Sequence, residues 1–74
     1  MRLSDLQDKD VVNITDGKKI GNIIDVNIDS NGNMQEIVVE KFHFFFSFFP
    51  NKTTAIKWDK IKKIGQDVIL VNID

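Results

Sequence analysis

Cysteine is absent from the 74 residues, so disulfides, thiolate metal sites and cysteine nucleophiles are all excluded. Histidine occurs once, at position 43, and a lone histidine without further nitrogen or sulfur ligands does not build a zinc site. An excess of one charge is lacking too. Ten basic against eleven acidic side chains leave a formal −1, which gives no general electrostatic pull toward nucleic acid or an anionic membrane. No apolar run approaches the ~20 residues that a bilayer-spanning helix needs. The N-terminal MRLSDLQDKD is polar within a few residues and has no apolar core of a secretion signal, so the expected location is cytoplasmic. Helical periodicity is nearly missing as well, which turns attention to strands.

What is present suits a small globular fold. Hydrophobic residues make up 42% and charged residues 28%, a balance that argues against disorder. At this length one domain spanning residues 1–74 is expected, with a core small enough that self-association is common. Ser4 and Gln7 have capping-box spacing, with Leu3 and Leu6 three apart, so a single helical turn is expected there. DVVNI (10–14) is β-branched, and Asp16-Gly17 in the following TDGKK is a hairpin signal. IGNIIDVNID (20–29) alternates in its second half, with Ile24, Val26 and Ile28 on one face. The slip at Ile23-Ile24 predicts a bulge or a strong bend. Asn31-Gly32 falls where a second, two-residue hairpin turn needs positive φ. MQEIVVEKF (34–42) pairs back, and TTAIKW (53–58) is a later strand with Thr54, Ile56 and Trp58 on one face. WDKIKKIG (58–65) reads as a helical turn or connector, and DVILVNI (67–73) as a closing strand covered on both sides. Five to six short strands with frequent turns predict an all-β fold, a small barrel or strongly coiled sheet. KKIGNIIDVNID (18–29) echoes KKIGQDVILVNID (62–74), but a chain rich in Ile, Lys and Asn makes such echoes cheap, and a true repeat array needs at least three copies.

The chemical inventory is short. His43, Ser47 and an aspartate would supply the members of a hydrolase triad, yet a triad is defined by geometry, and no nucleophile-elbow glycine pattern surrounds the serine. Asp29, Asn31, Asn33 and Glu40 match positions 1, 3, 5 and 12 of a calcium loop, but Met34 stands where the sharp turn requires glycine, so the hairpin is the better reading. Lys57, Lys60, Lys62 and Lys63 cluster around Trp58, in the manner of single-strand binders that combine basic grooves with stacking aromatics. Asp59 and Asp67 break up that patch, and a tryptophan between Ile56 and Ile61 is more often a core anchor. No catalytic residue, cofactor or metal site is therefore expected. The densest feature is FHFFFSFFP (42–50), where Phe42, Phe44, Phe45, Phe46, Phe48 and Phe49 exceed what one sheet face can bury. Contiguous apolar surface of this kind marks contact sites.

The opening RLSDLQDKDVVNITDGKKIGNIIDVNID resembles the start of PRC-barrel domains: a short RLS-L turn, a strand, a D-G hairpin, then IG-I-D--ID. The resemblance continues through NG and IVV, and resumes at AIKWDKIKKIGQDVILVNI. It is most similar to the small stand-alone, sporulation-associated YlmC/YmxH type. The resemblance implies a compact β-barrel serving as a protein-contact module, as in a reaction-centre subunit and a ribosome-maturation factor, with no catalytic residues to carry over. Relatives usually have a glycine- and charge-rich loop after the third strand and a proline before the tryptophan. Here that loop is FHFFFSFFPNKTT, and Lys57 stands in the proline's place. The resulting expectation is a non-enzymatic adaptor, homodimeric or bound to an unidentified protein through the phenylalanines. The alternative is an RNA- or ribosome-associated assembly factor using Lys57, Lys60, Lys62 and Lys63.

Overall fold

The computed structural model describes residues 1–41 and 52–73. Its elements are a helical turn α1 (Leu3–Gln7), strands β1 (Asp10–Asn13), β2 (Lys19–Ile28), β3 (Met34–Lys41) and β4 (Thr53–Lys57), a 3₁₀ turn (Trp58–Lys60), and strands β5 (Ile61–Ile64) and β6 (Val68–Val71). The fold is all-β, with one six-stranded sheet in the order β4-β3-β2-β1-β6-β5. Neighbours pair antiparallel except β1 and β6, which run parallel with Val11 opposite Ile69 and Asn13 opposite Val71.

A flat sheet of six strands would be roughly 24 Å wide at ~4.8 Å per strand, and one five-residue helix could not cover it. Instead the sheet curls on itself. Val11, Ile20, Ile23, Ile37, Val39, Ile56, Ile69 and Val71 from five strands meet in one cluster with Leu6 of α1, and Ile61 and Ile64 of β5 pack against it. Burying each such side chain stabilises the fold by about 1.5–3 kcal/mol before chain entropy is charged against it.

Bulges produce the curl. Ile20 is the extra residue where β2 faces β1, and Ile24 is the extra residue where β2 faces β3. Strict alternation would put Ile20 and Ile23 on opposite faces, yet both are buried, and Val26 three residues on packs against the same core. A further bulge at Lys62 lets Ile61 and Ile64 both face inward while Lys62 and Lys63 stay exposed. Gly21 lies in the most crowded stretch of β2, where a Cβ would fall on the Glu40 carbonyl oxygen of β3.

Three local expectations are corrected. The helical turn is capped not by Ser4 and Gln7 but from Arg2, whose backbone N–H donates to the Asp5 carboxylate at 2.8 Å. Asn31 does not take positive φ; only Gly32 does, at 85°. The hairpin is a three-residue loop closed by the Asp29 N–H to the Asn33 carbonyl at 2.9 Å, with glycine in the left-handed position. The connector at 58–65 is a 3₁₀ turn followed by a strand, because Ile61 and Ile64 have partners in Val71 and Ile69 of β6. Of the alternating set Ile24, Val26 and Ile28, only Val26 reaches the core; the two isoleucines are exposed.

The echo between 18–29 and 62–74 has no structural counterpart among the described residues. Its first copy runs on into the single strand β2, with Gly21 inside it. In the second, Gly65 sits in the turn between β5 and β6, its N–H donating to the Val68 carbonyl at 2.7 Å.

Candidate functional site

The two carboxylate clusters among the described residues tie strands and turns together. Asp10 accepts from the Lys19 ammonium at 3.1 Å and from the Asn22 amide at 3.1 Å, and this pairing holds its carboxyl below the ordinary carboxylate range. Asn22 also donates to the Lys9 carbonyl, so the set ties β2 to the start of β1. Asp29 is lowered in the same sense, first by the Asn33 backbone N–H at 2.8 Å and then by that of Asn31 at 2.9 Å. The Asn33 and Gln35 side chains donate to its other oxygen. The residues that spelled a calcium-loop pattern thus build the β2–β3 turn. Glu40 lies far along β3, opposite Asn22.

Asn13 is the buried polar side chain among the described residues, at an inward position of β1. Its amide oxygen accepts from the Thr15 N–H and hydroxyl at 3.4 and 3.2 Å, which shapes the β1–β2 turn. Among the described residues no group of three or more His, Asp or Glu side chains is close enough to hold a metal ion. No helix among them is long and apolar enough to cross a membrane.

One surface departs from this economy. Past the bulge at Ile24, β2 has no β1 partner and runs beside β3, which pairs with β4 as far as Glu36, so only the tip of this β2–β3 arm, with Ile28 opposite Met34, is two-stranded. Leu3 and Leu6 of α1 lie beside Ile28 and Met34 of this arm and Trp58. Together with Met1, Arg2 and Val26 they line an open groove of about 280 Å³. Leu6 is buried, and Val26, Met34 and Trp58 pack against the core, so they form a fixed floor. Met1, Leu3 and Ile28 stand above it with 79%, 45% and 56% of their surfaces exposed. Met34 and Trp58 also border a neighbouring polar groove with Gln35, Glu36, Lys57 and Asp59. Glu36 and Lys57 face each other across β3 and β4, and the Asn27 amide donates to Glu36 at 2.8 Å.

The residues singled out from the sequence fall elsewhere or only partly here. Phe42, Phe44, Phe45, Phe46, Phe48 and Phe49, with His43 and Ser47, lie outside the described residues. Their flanking residues do not: the Lys41 N–H donates to the Lys52 carbonyl at 2.7 Å, at the opposite end of β3 from Met34. Lys57, Lys60, Lys62 and Lys63 are all exposed, with the exposed Asp59 among them. Trp58 is half-buried against the core rather than a free stacking platform. The groove itself escaped sequence reading. Its signal was an excess of apolar residues beside a turn, in a strand too long for the core it serves.

Comparison with known proteins agrees with this architecture. The family model for the PRC-barrel domain matches residues 1–74. A Bacillus subtilis (strain 168) protein with the name "Probable sporulation protein YlmC" is 41% identical over 73 residues, covering 96% of this chain and 90% of that protein.

Proposed function

The chain belongs to the PRC-barrel domain family, and from that premise we propose that it is a non-enzymatic protein-contact module acting in sporulation. The observation that carries the reading is the apolar groove at one end of β3, beside carboxylates at Asp10 and Asp29 whose hydrogen bonds tie strands and turns. Exposed apolar surface rimmed by polar side chains is the usual mark of a protein interaction site. The sporulation setting rests on the likeness to the Bacillus protein's printed name. In this reading Phe42, Phe44, Phe45, Phe46, Phe48 and Phe49 supply a second contact, used for a partner protein in the cytoplasm.

Affinity purification from the native cell tests the reading. The wild type is compared with a variant in which Phe44, Phe45, Phe48 and Phe49 are changed to Ser. A partner set that shrinks while circular dichroism stays unchanged supports it; an unchanged set removes the phenylalanines from the proposal.

The exposure of Lys57, Lys60, Lys62 and Lys63 keeps one other reading in play, an RNA- or ribosome-associated assembly factor. It requires RNA binding that weakens steeply with salt and is lost when Lys60, Lys62 and Lys63 become Ala. Absence of binding at low salt ends it.

A further inference from the structure

We propose that the groove between α1, the β2–β3 arm and Trp58 is a self-association surface, closed by the same groove of a second copy across a two-fold axis. The proposal rests on the contact-module reading and names the partner for one end of the molecule.

Three features favour a second copy over other occupants. The groove is open, with a free volume of about 280 Å³. It suits one or two inserted aliphatic side chains. Such side chains stand on the same face: Ile28 and Leu3 project beside a recessed floor of Leu6, Val26 and Trp58. A two-fold contact demands this, since one patch must supply both the projection and the recess. The third feature is charge. Arg2 and Lys57 are matched by Glu36 and Asp59 around the two adjoining grooves. A rim with two charges of each sign carries no net charge, so a two-fold axis that sets opposite charges face to face meets no repulsion. A strongly basic or acidic partner would find no matching field there, and the net charge of −1 imposes little repulsion between copies.

The placement separates two activities of the module. β3 runs eight residues from Met34 at the groove to Lys41, roughly 20–25 Å at the rise of an extended strand. A dimer formed at the groove end therefore leaves the Lys41/Lys52 ends of both copies clear of the two-fold axis, available to other proteins.

Sedimentation equilibrium of the full chain over ~1–500 µM tests the proposal, with circular dichroism as the check on folding. The wild type is expected to dimerise. Ile28→Glu is expected to raise the dimer dissociation constant at least about a hundredfold with an unchanged spectrum, because each substitution enters a two-fold interface twice. Lys57→Glu is expected to weaken the dimer by about tenfold, and the double exchange Glu36→Lys with Lys57→Glu to recover most of that loss. The variant with Phe44, Phe45, Phe48 and Phe49 changed to Ser is expected to dimerise like the wild type. A wild type that stays monomeric at the highest concentration overturns the proposal, as does a dimer indifferent to Ile28→Glu. Loss of the dimer in the phenylalanine variant alone overturns it too, while leaving the contact-module reading intact. Unchanged dimerisation with a changed partner set in the phenylalanine variant upholds both.

Discussion

The two halves of β2 make opposite use of nearly the same residues. Lys19–Ile23 contributes Ile20 and Ile23 to the core and brings Gly21 against the β3 backbone. Ile24–Ile28 contributes one partly buried valine and leaves two isoleucines in water. The second half shows the cleaner alternation of apolar and polar residues, yet it is the exposed one. Alternation reports that a strand has two different faces. It does not report that anything in the same chain covers the apolar face. Bulges at Ile20 and Ile24 replace alternation with the three-residue spacing Ile20, Ile23, Val26 of the side chains that reach the core, a spacing that the apolar pattern of the strand does not show.

Substitutions in the two halves should differ by several kcal/mol. The largest effect is expected at Gly21→Ala, where the added Cβ meets the Glu40 carbonyl and cannot be relieved by a side-chain rotation. It should cost about 4 kcal/mol or more in urea unfolding, at the extreme for single substitutions. Ile23→Ala removes a buried side chain in contact with the core and should cost about 2–4 kcal/mol in the same assay. Ile28→Ser, in the other half, should change stability by less than about 0.5 kcal/mol at protein concentrations where the chain is monomeric. Equal losses at Ile23 and Ile28 would erase the distinction between the halves.

The turn that follows the exposed half offers a subtler test through acid. Asp29 and Asp10 both have folded-state pKa values below their unfolded ones. The native state therefore binds fewer protons near pH 3 than the unfolded chain. Their stabilisation is fully present above the unfolded carboxylate range, about pH 4, and is lost as pH falls through the lower folded values. Asp29→Asn keeps an acceptor oxygen and removes the titration, so the acid limb of its stability curve should be shallower than the wild type's. Both groups are largely in solvent, which keeps this effect the smallest of the set.

Much of this was legible in the sequence, and the reasons differ from place to place. The hairpins at Asp16-Gly17 and Asn31-Gly32, the bulge near Ile24 and the all-β class follow from local rules that act within a few residues. The parallel pairing of β1 with β6 joins Asp10 to Val68 across most of the chain, and no local rule reaches that far. β5 was hidden because Ile61 and Ile64 are spaced as a helix would space them, and only the bulge at Lys62 makes that spacing fit a strand. The cap at Arg2 was hidden because a backbone N–H, which every such residue carries, takes the part assigned to Ser4. The groove needed tertiary structure outright, since it assembles α1, β2, β3 and Trp58 from four separate stretches.

The central claim is that the exposed half of β2 is a surface for contact rather than an unfinished core. A dilution series of two-dimensional amide NMR spectra tests it residue by residue. Concentration-dependent shifts or broadening are predicted at Leu3, Val26, Ile28, Met34 and the Trp58 indole, with Ile69, Val71 and the Lys41 and Lys52 amides unmoved. Spectra that do not change with concentration, or changes confined to Lys41, Lys52 and their neighbours, would contradict it.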